Sequence, residues 1–274
     1  MAIAGAFSHG LSAGIAWGLW GLMDLPADSL AGTTALDAAF AGNRLLATLS
    51  LDKRALFIPH LSIEEYEPGT PVLQLGRNVE RTLFPFDRPM ASLRIELSGN
   101  RSVEVASIGI EGTVGGVVRS GRAPAFAQAI VQLGGCAASL SMRVLEEAKA
   151  GSAHVKNFFC HYSDALLSQV MQSVACNAFH PIESRAARWL LHAQDRAGSD
   201  RLALTQESLA NLLGGQRTTV NAVARVLQEQ GLIAYRRGAI GVVDRAGLAA
   251  ASCECCDRVE AHVTAILGKD GRGA

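Results

Sequence analysis

The sequence predicts an α+β chain: an N-terminal antiparallel β-roll (jelly-roll-like), then one long dimerisation helix, then a C-terminal winged helix-turn-helix. Three observations predict it. Between about residues 60 and 135, short apolar runs such as PVLQL, SLRIEL, SVEVASI and AQAIVQL alternate with EPGT, DRP, SGNR, GIEG and RSGRAP. Short strands joined by Gly and Pro turns have this texture. Residues 154–178, HVKNFFCHYSDALLSQVMQSVACNA, contain neither Gly nor Pro, so one uninterrupted helix can form there. Residues 204–238, LTQESLANLLGGQRTTVNAVARVLQEQGLIAYRRG, hold two helical patterns split by a glycine pair and followed by a strand-like run ending in Arg-Arg-Gly.

The composition bounds the partners. A chain of 274 residues suggests two domains, and 49% hydrophobic against 18% charged residues is enough to bury real cores. The formal net charge is zero, so an acidic partner has to be met by a local patch. Six cysteines, Cys136, Cys160, Cys176, Cys253, Cys255 and Cys256, are too few for a disulfide scaffold in a chain this long and suit a reducing cytoplasm. The first 23 residues carry no charged side chain. That length is borderline for a membrane helix, but five glycines, two serines, His9 and a first basic residue only at Arg44 argue against a membrane or export segment. Residues 1–42 are expected to be a poorly ordered extension, and a membrane tether at residues 1–23 is the rival.

The elements follow in order. Residues 43–62 show helical spacing up to Pro59, and the strand texture then runs to about 135. Leu97-Ser98-Gly99-Asn100-Arg101 suits a hairpin turn. SMRVLEEAKAG is a short helix stopped by Gly151. In the long helix, Phe159, Tyr162, Leu166, Gln169 and Ser173 follow a three-four spacing. That stripe is expected to meet a partner helix. Pro181 opens the next helix, which ends before Gly198. The expected boundaries are 43–153 for the roll, 154–180 for the long helix, 181–250 for the winged domain and 251–274 for a C-terminal tail.

In the winged segment, Thr205 is a reasonable N-cap and Leu209, Leu212 and Leu213 supply a buried face. Ala210, Gly214 and Val220 have the small-glycine-apolar spacing that lets two helices cross closely. The second helix should run from about Arg217 to Gln230, with Val220, Val223, Ala224 and Leu227 inward. Arg217, Thr218, Asn221, Ala222 and Arg225 then face out. Arg217, near the helix start, suits a bidentate contact to guanine. Gln216, Thr219 and Arg225 suit phosphates, and Arg236 and Arg237 would reach the DNA backbone from the wing. Residues 182–248 hold nine arginines and six acids, so 9 − 6 gives +3 in a neutral chain. An ordinary pair of core helices with a β-ribbon is the alternative.

These residues resemble the Crp/Fnr family of bacterial transcription regulators. The resemblance is strongest over HPIESRAARWLLHAQDRAG, the 204–238 segment and VVDRAGLAAASCEC, and weaker over 43–180. It implies a cyclic-nucleotide-binding-like roll, a dimerising helix, a homodimer on palindromic double-stranded DNA, contact with RNA polymerase and no catalytic role. In cyclic-AMP-responsive members the recognition helix begins Arg-Glu-Thr with a second arginine one turn on. Arg217 and Thr219 keep that pattern, while Thr218 and Ala222 depart from it, which implies a different half-site. The family's phosphate cassette has Gly-Glu-Leu and then Arg-Ser or Arg-Thr. Gly112 and Thr113 fall at its Gly-Glu and Arg122 and Ala123 at its Arg-Ser, so the resemblance implies a degenerate pocket with an unknown effector; a cyclic-nucleotide-responsive regulator is the alternative.

The iron–sulfur cysteines of the oxygen-sensing members have no counterpart before Cys136. Cys253-Glu-Cys-Cys offers only three thiolates and is expected to be a surface tail, with no metal and no cofactor. An enzyme would need a nucleophile, base or metal constellation, and the sequence suggests none.

Overall fold

A computed structural model describes residues 27–99, 101–117, 124–236 and 238–267. It begins with helix α1 (Ala27–Gly42), α2 (Arg44–Ala47), α3 (Leu51–Phe57) and a 3-10 turn. Seven strands follow: β1 (Ser62–Tyr66), β2 (Pro71–Leu73), β3 (Arg81–Asp87), β4 (Met90–Leu97), β5 (Arg101–Ile108), β6 (Gln128–Leu133) and β7 (Gly135–Ser141). Helices α4 (Met142–Gly151), α5 (Ala153–Phe179) and α6 (Ile182–Ala197) lead through β8 (Arg201–Leu202) to α7 (Gln206–Leu213) and α8 (Arg217–Glu229). Strands β9 (Ile233–Arg236) and β10 (Ala239–Val242) and helices α9 (Arg245–Ala251) and α10 (Cys255–Leu267) complete the chain.

The roll is two antiparallel sheets, ordered β1-β7-β3 and β2-β6-β4-β5. Alternate side chains point inward from both, so Leu83 and Ala137 of one sheet meet Ala91, Ile108 and Ala129 of the other in a shared core. The expected hairpin is present, with Leu97 opposite Arg101 and Gly99 at φ 78. Ser141 caps α4 by accepting from the Val144 N–H, which satisfies one of the donors that a helix start leaves free.

By contact density the chain divides into Met1–Ala35 and Leu36–Ala274. The second unit begins inside the expected extension. Ala39 and Phe40, in the last turns of α1, are buried with Leu46, Phe57, Phe84 and Phe159. The end of α1 therefore contributes Ala39 and Phe40 to the roll's core, on the far side of the expected boundary at 42. The helical pattern of 43–62 divides at Thr48–Ser50, between the C-cap of α2 and the N-cap of α3, and Asn43 turns inward where α1 meets α2. It caps α2 through the Leu46 N–H and donates to the carbonyls of Pro85 and Gly112 at 2.8 and 2.9 Å. The rival membrane tether, residues 1–23, lies outside the described residues, and no described helix is long and apolar enough to cross a membrane.

The C-terminal tail is also corrected. Helix α10 lies on α5 and α2: Val263 and Ile266 pack against Leu45, Tyr162 and Ala165.

Candidate DNA-binding surface, effector pocket and cysteine cluster

Helices α7 and α8 cross as the small-glycine-apolar spacing predicts. Thr205 accepts from the Ser208 N–H at 3.0 Å, and Gly214 ends α7 in the left-handed region, φ 64, where glycine costs least. Its N–H bonds the carbonyl of Ala210, as does that of Gly215. Ala210 and Val220 are buried, and Val223, Ala224 and Leu227 join Leu209, Leu212, Leu213, Trp189 and Leu190 in one core. That core fixes the roll angle of α8. A Cβ at Gly214 would lie 2.9 Å from Val103 of the roll, so the turn seats directly on β5. Ser102 reinforces the contact by donating to the Asn211 carbonyl at 3.3 Å.

The opposite face of α8 is open. Gln216, Arg217, Thr218, Thr219, Ala222 and Arg225 are exposed. Gln216 occupies the N-cap without a side-chain cap bond, so the first N–H groups of α8 remain available to an anion. Arg217 stands 3.9 Å from Glu207, and Arg225 bonds Glu229 at 2.8 Å. All four side chains are more than half exposed, so these pairs hold the arginines weakly and a phosphate can replace the carboxylates. Asn221 differs from the expectation: it is half-buried, and its Oδ1 is buried without a partner. The wing is a three-stranded sheet ordered β8-β10-β9, with Arg236 opposite Ala239. Arg236 is exposed at the wing's end and Gly238 has φ 78; Arg237 lies outside the described residues.

The expected dimer stripe faces inward. Phe159 and Tyr162 are buried within their own chain. Leu166 packs on the core between the sheets, Gln169 donates to the Ser107 carbonyl at 3.1 Å, and Ser173 lines a cavity of its own chain. The roll and α10 cover this stripe, so no partner helix is needed for it. The exposed apolar residues of α5 lie on another face: Leu167, Met171 and Val174 are 55%, 60% and 65% exposed. With Cys160, Asp164 and Ala178, also exposed, they repeat at alternating four- and three-residue steps, the spacing of a coiled-coil seam.

The expected effector loop is filled. Thr113 is fully buried; its hydroxyl bonds Thr82 at 2.7 Å and donates to the Leu83 carbonyl at 2.8 Å. The Tyr162 ring lies against Gly112, and its hydroxyl donates to the Thr113 carbonyl at 3.2 Å. Burial pushes the Tyr162 phenol far above its ordinary range, so it stays a neutral donor. Arg122 and Ala123 lie outside the described residues. A cavity of about 470 Å³ opens elsewhere, between β5, α5, α6 and α10, with Arg188, His192, Arg196 and Cys256 in its wall. Burial, with the Arg196 and Arg188 guanidiniums beside it, holds the His192 imidazole well below 6.5.

The cysteine tail is not on the surface. Cys253 and Cys255 are buried against Cys176 of α5, and His180, one turn beyond Cys176, joins them. Cys253-Glu-Cys-Cys by itself offers three thiolates. The sequence signal for the rest of the cluster is Cys176-x-x-x-His180, whose four-residue step puts both side chains on one helix face.

A family model described as the Crp-like helix-turn-helix domain matches residues 184–251. No curated protein matches the sequence. Among solved structures, a Crp/Fnr-family transcriptional regulator from Eubacterium rectale is similar at 19% identity, covering 76% of this chain and 96% of that one with a TM-score of 0.60. FixK2 from Bradyrhizobium japonicum is similar at 17% identity, with 70% and 98% covered and a TM-score of 0.59. CLP from Xanthomonas campestris, a c-di-GMP responsive global regulator, is similar at 17% identity, with 71% and 100% covered and a TM-score of 0.58. At these identities the likeness is one of fold, and it agrees with the domain match. Residues 184–251 match the Crp-like helix-turn-helix domain, and the chain shares its fold with solved regulators of the Crp/Fnr type.

Proposed function

We propose that the protein is a homodimeric, sequence-specific regulator that binds palindromic double-stranded DNA in the cytoplasm through α8 and the β9–β10 wing. The observation that carries this reading is the division of α8 into two faces. Val220, Val223, Ala224 and Leu227 are locked in the core, while Arg217, Thr218, Ala222 and Arg225 are exposed on the outer face. Arg217 at the helix start is the base-reading residue. Gln216, Thr219, Arg225, Arg236 and Arg237 hold phosphates. Asn221 has the weaker case, since its amide is turned partly inward.

The dimer forms on α5 through Leu167, Met171 and Val174. Supporting this are their exposure, their four-three spacing and the covering of the opposite stripe by the chain's own roll. Two copies present two α8 helices, which suits an operator with two-fold symmetry. Contact with RNA polymerase belongs to the same reading. Cyclic nucleotide is not the effector, because Gly112 and Thr113 are packed under Tyr162. A small effector has room instead in the 470 Å³ cavity, within the range of ordinary ligand sites. Genome-wide occupancy of the full-length protein, compared with the Arg217→Ala variant, tests the reading. Discrete shared-motif sites that vanish in the variant are expected. Uniform occupancy, or an unchanged map in the variant, would overturn it.

A further inference from the structure

Cys176 and His180 sit on the last turns of α5, and Cys253 and Cys255 bracket the link between α9 and α10. Chain folding brings one ligating atom of each within 4.8 Å of all the others. The Cys176 and Cys253 sulfurs are 3.6 Å apart, and the Cys255 sulfur is 3.4 Å from His180 Nδ1. A disulfide needs sulfurs about 2.05 Å apart, so the 3.6 Å pair is not bonded. Tetrahedral zinc has Zn–S of about 2.3 Å and Zn–N of about 2.0–2.1 Å, which sets ligand-to-ligand edges of about 3.8 Å between sulfurs and about 3.5 Å from sulfur to nitrogen. Both observed separations are close to those edges. A four-iron cluster holds its ligand sulfurs apart by a whole cage of iron and sulfide, so the compact set fits a single ion.

The surroundings carry the same assignment. His180 Nε2 lies 3.4 Å from a Glu254 carboxylate oxygen, so a carboxylate stands on the outer side of the ring while Nδ1 faces the Cys255 sulfur. Histidine ligands to metals are held in that way. Gln172 donates its amide N–H to the Cys255 sulfur at 3.1 Å, a bond that favours thiolate. Three thiolates and one divalent ion leave one negative charge. Arg188, whose Nε is buried without a hydrogen-bond partner, lines the same cavity wall as Cys176 and Cys255. That cavity also supplies an entry path for the ion. Buried free cysteines often serve as small apolar side chains, but such a role explains neither His180 nor its carboxylate. Cys256 is outside the set: its sulfur faces His192 Nδ1 at 3.4 Å.

We propose that Cys176, His180, Cys253 and Cys255 bind one zinc(II) ion per chain. The ion ties together both ends of the DNA-binding domain. Its first two ligands lie just before the His180-Pro181 junction into α6, and its last two lie just after α9. It thereby fastens the domain's entry and exit to α5.

The test uses the full-length protein purified under reducing conditions without chelator. Elemental analysis should find one zinc per chain, absent in Cys176→Ser and Cys253→Ser and retained in Cys136→Ser and Cys160→Ser, which alter cysteines outside the cluster. Glu254→Gln should keep the site but weaken zinc affinity by about tenfold or more. Because a serine variant can fail by misfolding, metal-stripped wild-type protein is also titrated with cobalt(II). One equivalent with intense tetrahedral bands and thiolate charge transfer is expected, and amide exchange at residues 176–182 should slow when metal is returned. Zinc-free reduced protein with only weak octahedral cobalt bands would overturn the proposal. So would iron with acid-labile sulfide, or exchange at the junction that ignores metal.

Discussion

Tyr162 closes over Gly112 so tightly that a Cβ on residue 112 would collide with the phenolic oxygen. The same hydroxyl bonds the neighbouring Thr113 carbonyl, so the ring is pinned on both counts. Gly112→Ala should therefore overpack the site and cost about 1–3 kcal/mol in urea unfolding, while Tyr162→Phe, which removes one hydrogen bond, should cost about 1 kcal/mol. Equal tolerance of both changes would mean that the loop is open in solution.

The packed loop also bears on the signal. Calorimetry of cyclic AMP against the purified protein should give no micromolar isotherm. Thr113 presents no carboxylate to a ribose hydroxyl, and its own hydroxyl is already bonded to Thr82 and Leu83. A micromolar isotherm lost in Arg122→Ala would contradict this.

Helix α5 makes opposite predictions for its two faces. Met171→Glu places a charge on the exposed seam and should dissociate the dimer in sedimentation while leaving the fold intact. Leu166→Glu instead strikes the core between the two sheets and should lower the unfolding midpoint. A monomer produced by Leu166→Glu with unchanged stability, or an intact Met171→Glu dimer, would return the seam to the Phe159–Tyr162 stripe.

His192 predicts an acid sensitivity. The native imidazole resists protonation because it is buried beside Arg196 and Arg188, while the unfolded chain takes the proton near pH 6.5. Stability is then full above that pH and falls as pH drops below it, by at most about 1.4 kcal/mol per pH unit. Water in the adjoining cavity reduces the slope. His192→Gln, which can keep the bond to the Ser107 hydroxyl seen at 3.1 Å, should flatten the curve between pH 6.5 and 5. An unchanged curve would assign the sensitivity to other groups.

The wing is tested by salt. Arg236→Ala combined with Arg237→Ala should weaken binding to all DNA and reduce the salt dependence by roughly two counterions. An unchanged slope would remove the wing from the DNA contact.

What was legible in the sequence was local. The Thr205 cap, the glycine turn at Gly214, and the inward set of Val220, Val223, Ala224 and Leu227 all depend on neighbours within a turn or two, and each appears as expected. The pairing face of α5 was not legible, because two apolar stripes run along one helix and periodicity cannot tell which one the roll covers. Phe40 was missed for a related reason: α1 has no clear apolar face, and its burial depends on the roll beneath it. The cysteine cluster joins residues 77 positions apart, a proximity that only the path of α5 through α10 creates.

The central claim is that α8, presented twice by a dimer, reads DNA sequence. In-vitro selection of DNA by the full-length protein, with affinities of the selected site for wild type and Arg217→Ala, measures it most directly. The account predicts a two-fold symmetric site with half-sites about 10–10.5 base pairs apart or a multiple of that. It also predicts a loss of about 1–3 kcal/mol in Arg217→Ala, confined to the selected site and relaxing one base pair in each half. An asymmetric or featureless selection, or an equal loss on random DNA, would contradict it.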